Sequence, residues 1–212
     1  MADNPPKQLK MLRREAPIPD MRLPQGWRVR SMQEGDEEAW VSIMKSAGFF
    51  TDSQDDPITI WQKAMGSDAR VKMEHVFLVC TESGKPVATA TALLFTDKER
   101  DGYPCRKYGP GCLHNVGSMF EYRGKGAGTA VIIAVLRRLS ELGFSDCVLN
   151  TDDFRIPAVK RYLELAWFPV LYTVDMRGRW EKILAELKNR SELAAFDQNW
   201  VSVAPIKVGD SF

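Results

Sequence analysis

Two periods of apolar spacing run along this chain, and the switch between them marks out the elements. Val76-Phe77-Leu78-Val79-Cys80 and the stretch Val87 to Thr96 are apolar and rich in β-branched residues, and Glu82-Ser83-Gly84-Lys85-Pro86 lies between them. That arrangement predicts a β-hairpin. Further strands are expected at Trp27-Arg28-Val29-Arg30, Cys112 to Ser118, Cys147 to Asn150 and Phe168 to Met176. Helical spacing is clearest at Ala127, Val131, Val135, Leu139 and Leu142, with Gly143 as the stop. Glu34 to Lys45 has acids in its first turn and Trp40, Ile43 and Met44 behind them, so it predicts a helix. A second helix is expected near Ile58 to Met65, a third after Pro157, which suits a first turn, and a last at Trp180 to Leu187. The order β-α-α-β-β-β-α-β-α-β implies an α/β protein with helices packed on a sheet.

Pro5, Pro6, Pro17, Pro19 and Pro24 fall among charges, so residues 1–25 are expected to be a flexible arm. Residues 26–190 then form one domain and 191–212 a loosely docked tail. A length of 212 residues suits a single well-buried core. Lys and Arg total 29 against 28 Asp and Glu, so no overall charge draws the chain to nucleic acid or a membrane. Cys80, Cys105, Cys112 and Cys147 form no C-x-x-C pair, and small buried thiols are expected rather than a disulfide or a metal site. No stretch approaches 18 apolar residues and no signal-peptide core opens the chain, so a cytoplasmic protein is expected.

The chemistry concentrates in Asn115 to Gly128, where a short apolar segment meets Arg123-Gly124-Lys125-Gly126-Ala127-Gly128 and runs directly into the helical Thr129-Ala130-Val131. Glycines at such a turn permit positive φ and close approach of a ligand. The free N–H groups at the following helix start favour a phosphate or diphosphate, and Arg123 and Lys125 add cationic donors. A Walker loop is excluded, because Gly126 follows Gly124-Lys125 and Met119 stands five residues before Gly124. The dinucleotide fingerprint places Thr129 at its third glycine and lacks the βαβ setting.

The spacing R-x-x-G-x-G, at Arg123, Gly126 and Gly128, resembles the diphosphate loop of the GNAT N-acetyltransferase superfamily. Downstream, Ala158, Tyr162, Leu165 and Trp167 match that family's N-x-x-A-x-x-L-Y-x-x-L-G-F block, with departures at Arg155, Arg161 and Ala166. The resemblance covers roughly residues 26 to 190 and is most specific over 113 to 170. It implies the GNAT acyl-CoA N-acyltransferase fold, a mixed, mostly antiparallel central sheet flanked by helices, with acetyl-coenzyme A as co-substrate and no metal. Backbone groups of Val116, Gly117 and Ser118 would then meet the pantetheine arm. Arg123, Gly124, Lys125, Gly126, Ala127 and Gly128 would hold the diphosphate. The acceptor would be a primary amine of a small molecule or peptide, and the protein a monomer or homodimer.

Acetyl transfer needs a neutral amine, a stabilised oxyanion and a proton for the leaving thiolate. Tyr162 falls at the family's general-acid position; its alternative is plain core packing on an amphipathic helix. His114 is similar in place to a proton-relaying histidine of serotonin-type relatives, and alternation would put it on the face of Val116 and Ser118; its alternatives are a satisfied core histidine, or one that faces away because the family's corresponding strand bulges. Asn150 stands where some relatives carry a glutamate base, which leaves Asp152 or solvent as substitutes. Arg155 replaces the usual Asn and could contact a phosphate, but is expected to be a solvated charge at a helix entry. Asp52, Asp55 and Asp56 could wall the acceptor site or form an ordinary solvated loop. The reading is an N-acetyltransferase working by direct attack in a ternary complex. An acyl-coenzyme A-binding module without transfer activity is the alternative.

Overall fold

The computed structural model describes residues 8–94 and 111–188, apart from positions 172 and 174. The strands are β1 (Leu9–Arg13), β2 (Arg28–Ser31), β3 (Val76–Cys80), β4 (Pro86–Leu94), β5 (Gly111–Ser118), β6 (Cys147–Thr151) and β7 (Phe168–Val170). The helices are α1 (Glu37–Ser46), α2 (Pro57–Trp61), α3 (Ala127–Glu141), α4 (Ile156–Glu164) and α5 (Met176–Lys188). The strands form one sheet in the order β2-β3-β4-β5-β6-β1-β7. Among the described residues only the pair of β5 with β6 is parallel, so the mixed, mostly antiparallel sheet is as expected.

Local chemistry accounts for the helices. Glu37 and Glu38 lie in the first turn of α1, where acids favour the positive end of the dipole, and Trp40, Val41, Ile43 and Met44 form its buried stripe. Asp56 caps α2 by accepting from the Thr59 amide at 3.0 Å, and Pro57 opens the helix. A π-helical turn, Gln62–Gly66, continues it. In α3 the residues Ala127, Ala130, Val131 and Val135 are buried, and Gly143, at φ +86°, follows the helix end.

Two glycines and one extra residue set the packing on either side of β5. Gly117 opposes Thr89 and His114 opposes Thr91, so three steps on β5 match two on β4, and Asn115 takes φ +47° at this bulge. The extra residue reverses the alternation. A Cβ on Gly111 would therefore strike Leu139 of α3, whereas one on Gly117 would strike Met44 of α1. Helices α3 and α1 accordingly cover opposite faces of the sheet.

Two sequence expectations need correction. Leu9–Arg13, expected within a flexible arm, is a strand between β6 and β7. Leu9 and Met11 are fully buried in the main core, and Leu12 packs on the other face with Val148 and Val170. Arg13 is buried too. Its guanidinium donates to the carbonyls of Leu165, Ala16 and Pro17 at 2.9, 2.8 and 2.9 Å and lies over the Trp167 ring. The last strand stops at Val170 rather than Met176, and Met176 instead opens α5 with Trp180, Ile183, Leu184 and Leu187 on its buried side. The tail 191–212 and Cys105 lie outside the described residues. Cys80, Cys112 and Cys147 are buried free thiols. Among the described residues no helix is long and apolar enough to cross a membrane.

Candidate active site

The parallel strands β5 and β6 pair only through Gly111 with Cys147 and Cys112 with Val148. Beyond that point β5 keeps β4 as its partner and β6 keeps β1, so the two strands part. The side of β5 from Leu113 to Ser118 that turns away from β4 is left with backbone donors and acceptors to satisfy, as a sheet edge is. Val116, Gly117 and Ser118 lie at the end of this parted stretch, and the chain passes directly from them through a short 3-10 turn, Phe120–Tyr122, to Arg123.

The turn that follows leaves backbone amides and open space at a helix start. Gly124 and Gly126 have φ +78° and +84°, values glycine alone adopts without strain. Gly126 is the N-cap of α3 and offers no side chain to its first amides, so the N–H groups of that first turn point outward at the positive end of a helix of 15 residues. A Cβ at Gly124 or Gly128 would meet nothing within 4 Å, which leaves a cradle open above both. Gly126 differs, since its Cβ would stand 2.8 Å from the Arg22 carbonyl oxygen. That glycine is needed for packing against the chain's own backbone. Ala127 is buried. The exposed Arg123 lies over Phe120 and near the Ser46 carbonyl, and the Lys125 ammonium sits 5.2 Å from the Tyr122 ring centroid. Uncapped amides, open glycines and two cations fit a diphosphate.

Tyr162 is buried in α4, edge-on to Trp167 at 6.0 Å. Burial pushes its phenol above the ordinary value, with the charge of Arg155 acting weakly the other way, so the hydroxyl stays protonated at neutral pH. Bonds from Trp167 N to Tyr162 O and from Ala166 N to Leu163 O, both 3.0 Å, close this helix in a Schellman motif. The motif places Ala166 at φ +68°, where the family block has Gly.

His114 does not share a face with Ser118 as alternation implied. The bulge moves it to the side of Gly117 and α1, near Asp68 and Arg70. Burial first, and then the Arg70 charge, lowers its pKa from 6.5 against the smaller opposing pull of Asp68, so the imidazole is neutral at pH 7. Asp68 is held by Arg70 at 2.6 Å, and its pKa falls to about 2. Among the described residues no hydrogen bond links His114 with Tyr162.

Other sequence candidates are occupied. Asp152 accepts from Gln8 Nε2 and Arg155 Nε, each at 3.0 Å, so its carboxylate is an ion-pair partner rather than an open base. Asp55 pairs with Lys63 at 2.7 Å, and Asp56 is the α2 cap. Arg155 is not simply solvated: it is half-buried, and its guanidinium lies 3.9 Å from the Phe49 centroid, tying the start of α4 to the segment after α1. Sequence reasoning missed Phe49, Asp68, Arg70 and Arg22, which no motif marks and only the fold brings beside Arg155, His114 and Gly126.

The model of the Acetyltransferase (GNAT) family matches residues 37–167. A mycothiol acetyltransferase of Pseudarthrobacter chlorophenolicus is 27% identical over 175 residues, covering 76% of this chain and 48% of that protein. The chain thus spans about half the length of that relative. A GCN5-related N-acetyltransferase from Sphaerobacter thermophilus superposes with TM-score 0.56 at 19% identity, covering 78% of this chain and 50% of that one. A second, from Kribbella flavida, gives TM-score 0.50 at 18% identity, covering 78% and 55%. These two similarities concern the fold.

Proposed function

Because the chain belongs to the GNAT acetyltransferase family, we propose that it moves an acetyl group from acetyl-coenzyme A to a primary amine by direct attack in a ternary complex. The observation that carries the reading is the parting of β5 from β6, which leads without a break into the glycine turn on the uncapped start of α3. An extended arm with amides can pair along β5 at Val116, Gly117 and Ser118, while its diphosphate rests on Arg123 to Gly128. When bound, acetyl-coenzyme A supplies an activated thioester.

The chain's own groups then handle the protons. His114, neutral at pH 7 and on the α1 side of the sheet, is the base that accepts a proton from the amine at an imidazole nitrogen, directly or through water. Tyr162 keeps its proton and donates it from the hydroxyl to the departing sulfur. No described cysteine has a place in either motif block, so a covalent acetyl-enzyme has no nucleophile in this scheme. The relative's name points to a small-molecule acceptor, and we extend that class to this chain with a peptide amine as the other option.

Isothermal titration of folded protein with acetyl-coenzyme A tests the reading. Saturable binding is expected; no binding even at millimolar concentration would contradict it. Asp152 is engaged and Asn150 is not a base, which keeps one second reading in view, a binding module without transfer. Tight binding with no turnover over a broad amine panel would favour that module.

A further inference from the structure

The glycine turn is backed by a segment that belongs to neither motif block. After β1, Arg13 bends the chain by holding the carbonyls of Ala16 and Pro17. Ile18, Met21 and Leu23 then pack onto the core. The Arg22 carbonyl oxygen comes to rest where a Cβ of Gly126 would be, 2.8 Å away. A tight turn follows, closed by Trp27 N to Pro24 O at 3.1 Å with Gly26 at φ +77°, and it fixes the direction of Trp27. The Trp27 ring meets Tyr122 edge-on at 5.7 Å. Tyr122 immediately precedes Arg123, and its ring carries the Lys125 ammonium at 5.2 Å and the Lys85 ammonium at 5.4 Å. Arg22 and Trp27 thus bracket residues 122–126, while the positions above Gly124 and Gly128 stay open.

We propose that residues 14–27 are a strap that presets the turn, and that Trp27 is a positioning residue for the diphosphate end of the co-substrate. The inference rests on the coenzyme reading above. Three glycines in five residues have much conformational freedom to lose, and a ligand that had to order them would bind more weakly for it. The strap shifts that ordering into folding. It holds the backbone at Gly126 through Arg22, and it fixes Tyr122, and through it the Lys125 cation, with Trp27. Its effect should therefore fall on the nucleotide-diphosphate portion of coenzyme A and leave the pantetheine portion, which lies along β5, untouched.

The test compares dissociation constants for coenzyme A by calorimetry and for pantetheine by NMR titration, in the parent, Trp27→Ala and Trp27→Phe. Trp27→Ala is expected to weaken coenzyme A about tenfold, equivalent to about 1.4 kcal/mol, with pantetheine within about twofold of the parent and Trp27→Phe restoring most of the loss. Unchanged coenzyme A affinity, or an equal loss for both probes, overturns the proposal. If Trp27→Ala does not fold, tryptic cleavage of the parent after Arg22 decides the matter. Saturating coenzyme A should slow it at least about fivefold through ordering of the strap, and pantetheine should not; cleavage indifferent to coenzyme A overturns it. A parent that binds neither probe refutes the coenzyme reading itself, and the strap's role with it.

Discussion

The two walls of the cleft are built from different materials. On the side of the glycine turn, α3 runs for 15 residues with Ala130 to Leu136 all buried, and the turn itself is shaped by backbone. The wall beside His114 is made of short pieces: the five-residue α2, a π-helical turn and the Asp68–Arg70 pair, whose side chains are each 30% exposed. Buried apolar packing dominates stability, whereas partly exposed ion pairs contribute little. The first wall is therefore the more tightly packed, and the second can change its side chains at smaller cost to the fold. The comparison teaches that in the first wall packing and binding are separable at neighbouring glycines, and several substitutions can break or sharpen that claim.

The largest effect is expected at Gly126. Gly126→Val forces a β-branched residue to φ +84° and drives its Cβ into the Arg22 carbonyl, which should cost about 3 kcal/mol of stability. Urea unfolding measures it, and a loss below about 1 kcal/mol would remove the strap contact from the account. Next comes Tyr162→Phe, expected to lower kcat about 10²-fold with acetyl-coenzyme A affinity unchanged. Full kcat, under conditions where chemistry limits the rate, would return Tyr162 to core packing. Gly128→Val should weaken acetyl-coenzyme A at least about tenfold, because its Cβ enters the open cradle. Its melting temperature should stay near that of the parent. A variant that loses stability and keeps affinity would reverse the roles given to Gly126 and Gly128.

Smaller effects test the frame around the site. His75 is buried against Arg138 at 3.2 Å, and burial, then the Arg138 charge, lowers its pKa from 6.5. The folded state thus binds this proton less readily than the unfolded chain, so stability is complete above pH 6.5 and falls as pH drops below it. His114 acts in the same direction. Denaturant titrations between pH 7 and about 4.5, above the range where carboxylates dominate, should show that fall reduced in His75→Asn. An identical slope would contradict the burial of a neutral imidazole. Last, Ala166→Gly should stabilise by about 1 kcal/mol, since φ +68° strains alanine at the Schellman position. A destabilised variant would argue against that helix end.

What could be seen in the chain beforehand depended on how local its cause is. The run from Asn115 to Gly143 was legible because turn, cap and helical spacing all lie within reach of one another. The hairpin β3–β4 followed for the same reason, whereas the sheet class came with the family resemblance. Leu9–Arg13 was not, since five residues with two cations carry too little alternation, and burial of Arg13 needs carbonyls from Leu165 and the following bend. The face of His114 stayed open between plain alternation and the bulge that the family resemblance suggested, because a bulge is one residue of register between two strands, which no single strand's pattern displays. Asp56 was noticed as charge and proved to be a cap, a role its position before Pro57 could have suggested.

The central claim is that acetyl-coenzyme A lies along the parted edge of β5 and ends on the first amides of α3. Amide hydrogen exchange with and without acetyl-coenzyme A tests it most directly. The account predicts slowed exchange concentrated at Leu113–Ser118 and at Gly124 to Thr129, with the amides of β2 and β3 unchanged. Protection elsewhere, with these two stretches exchanging as in the free protein, would contradict it.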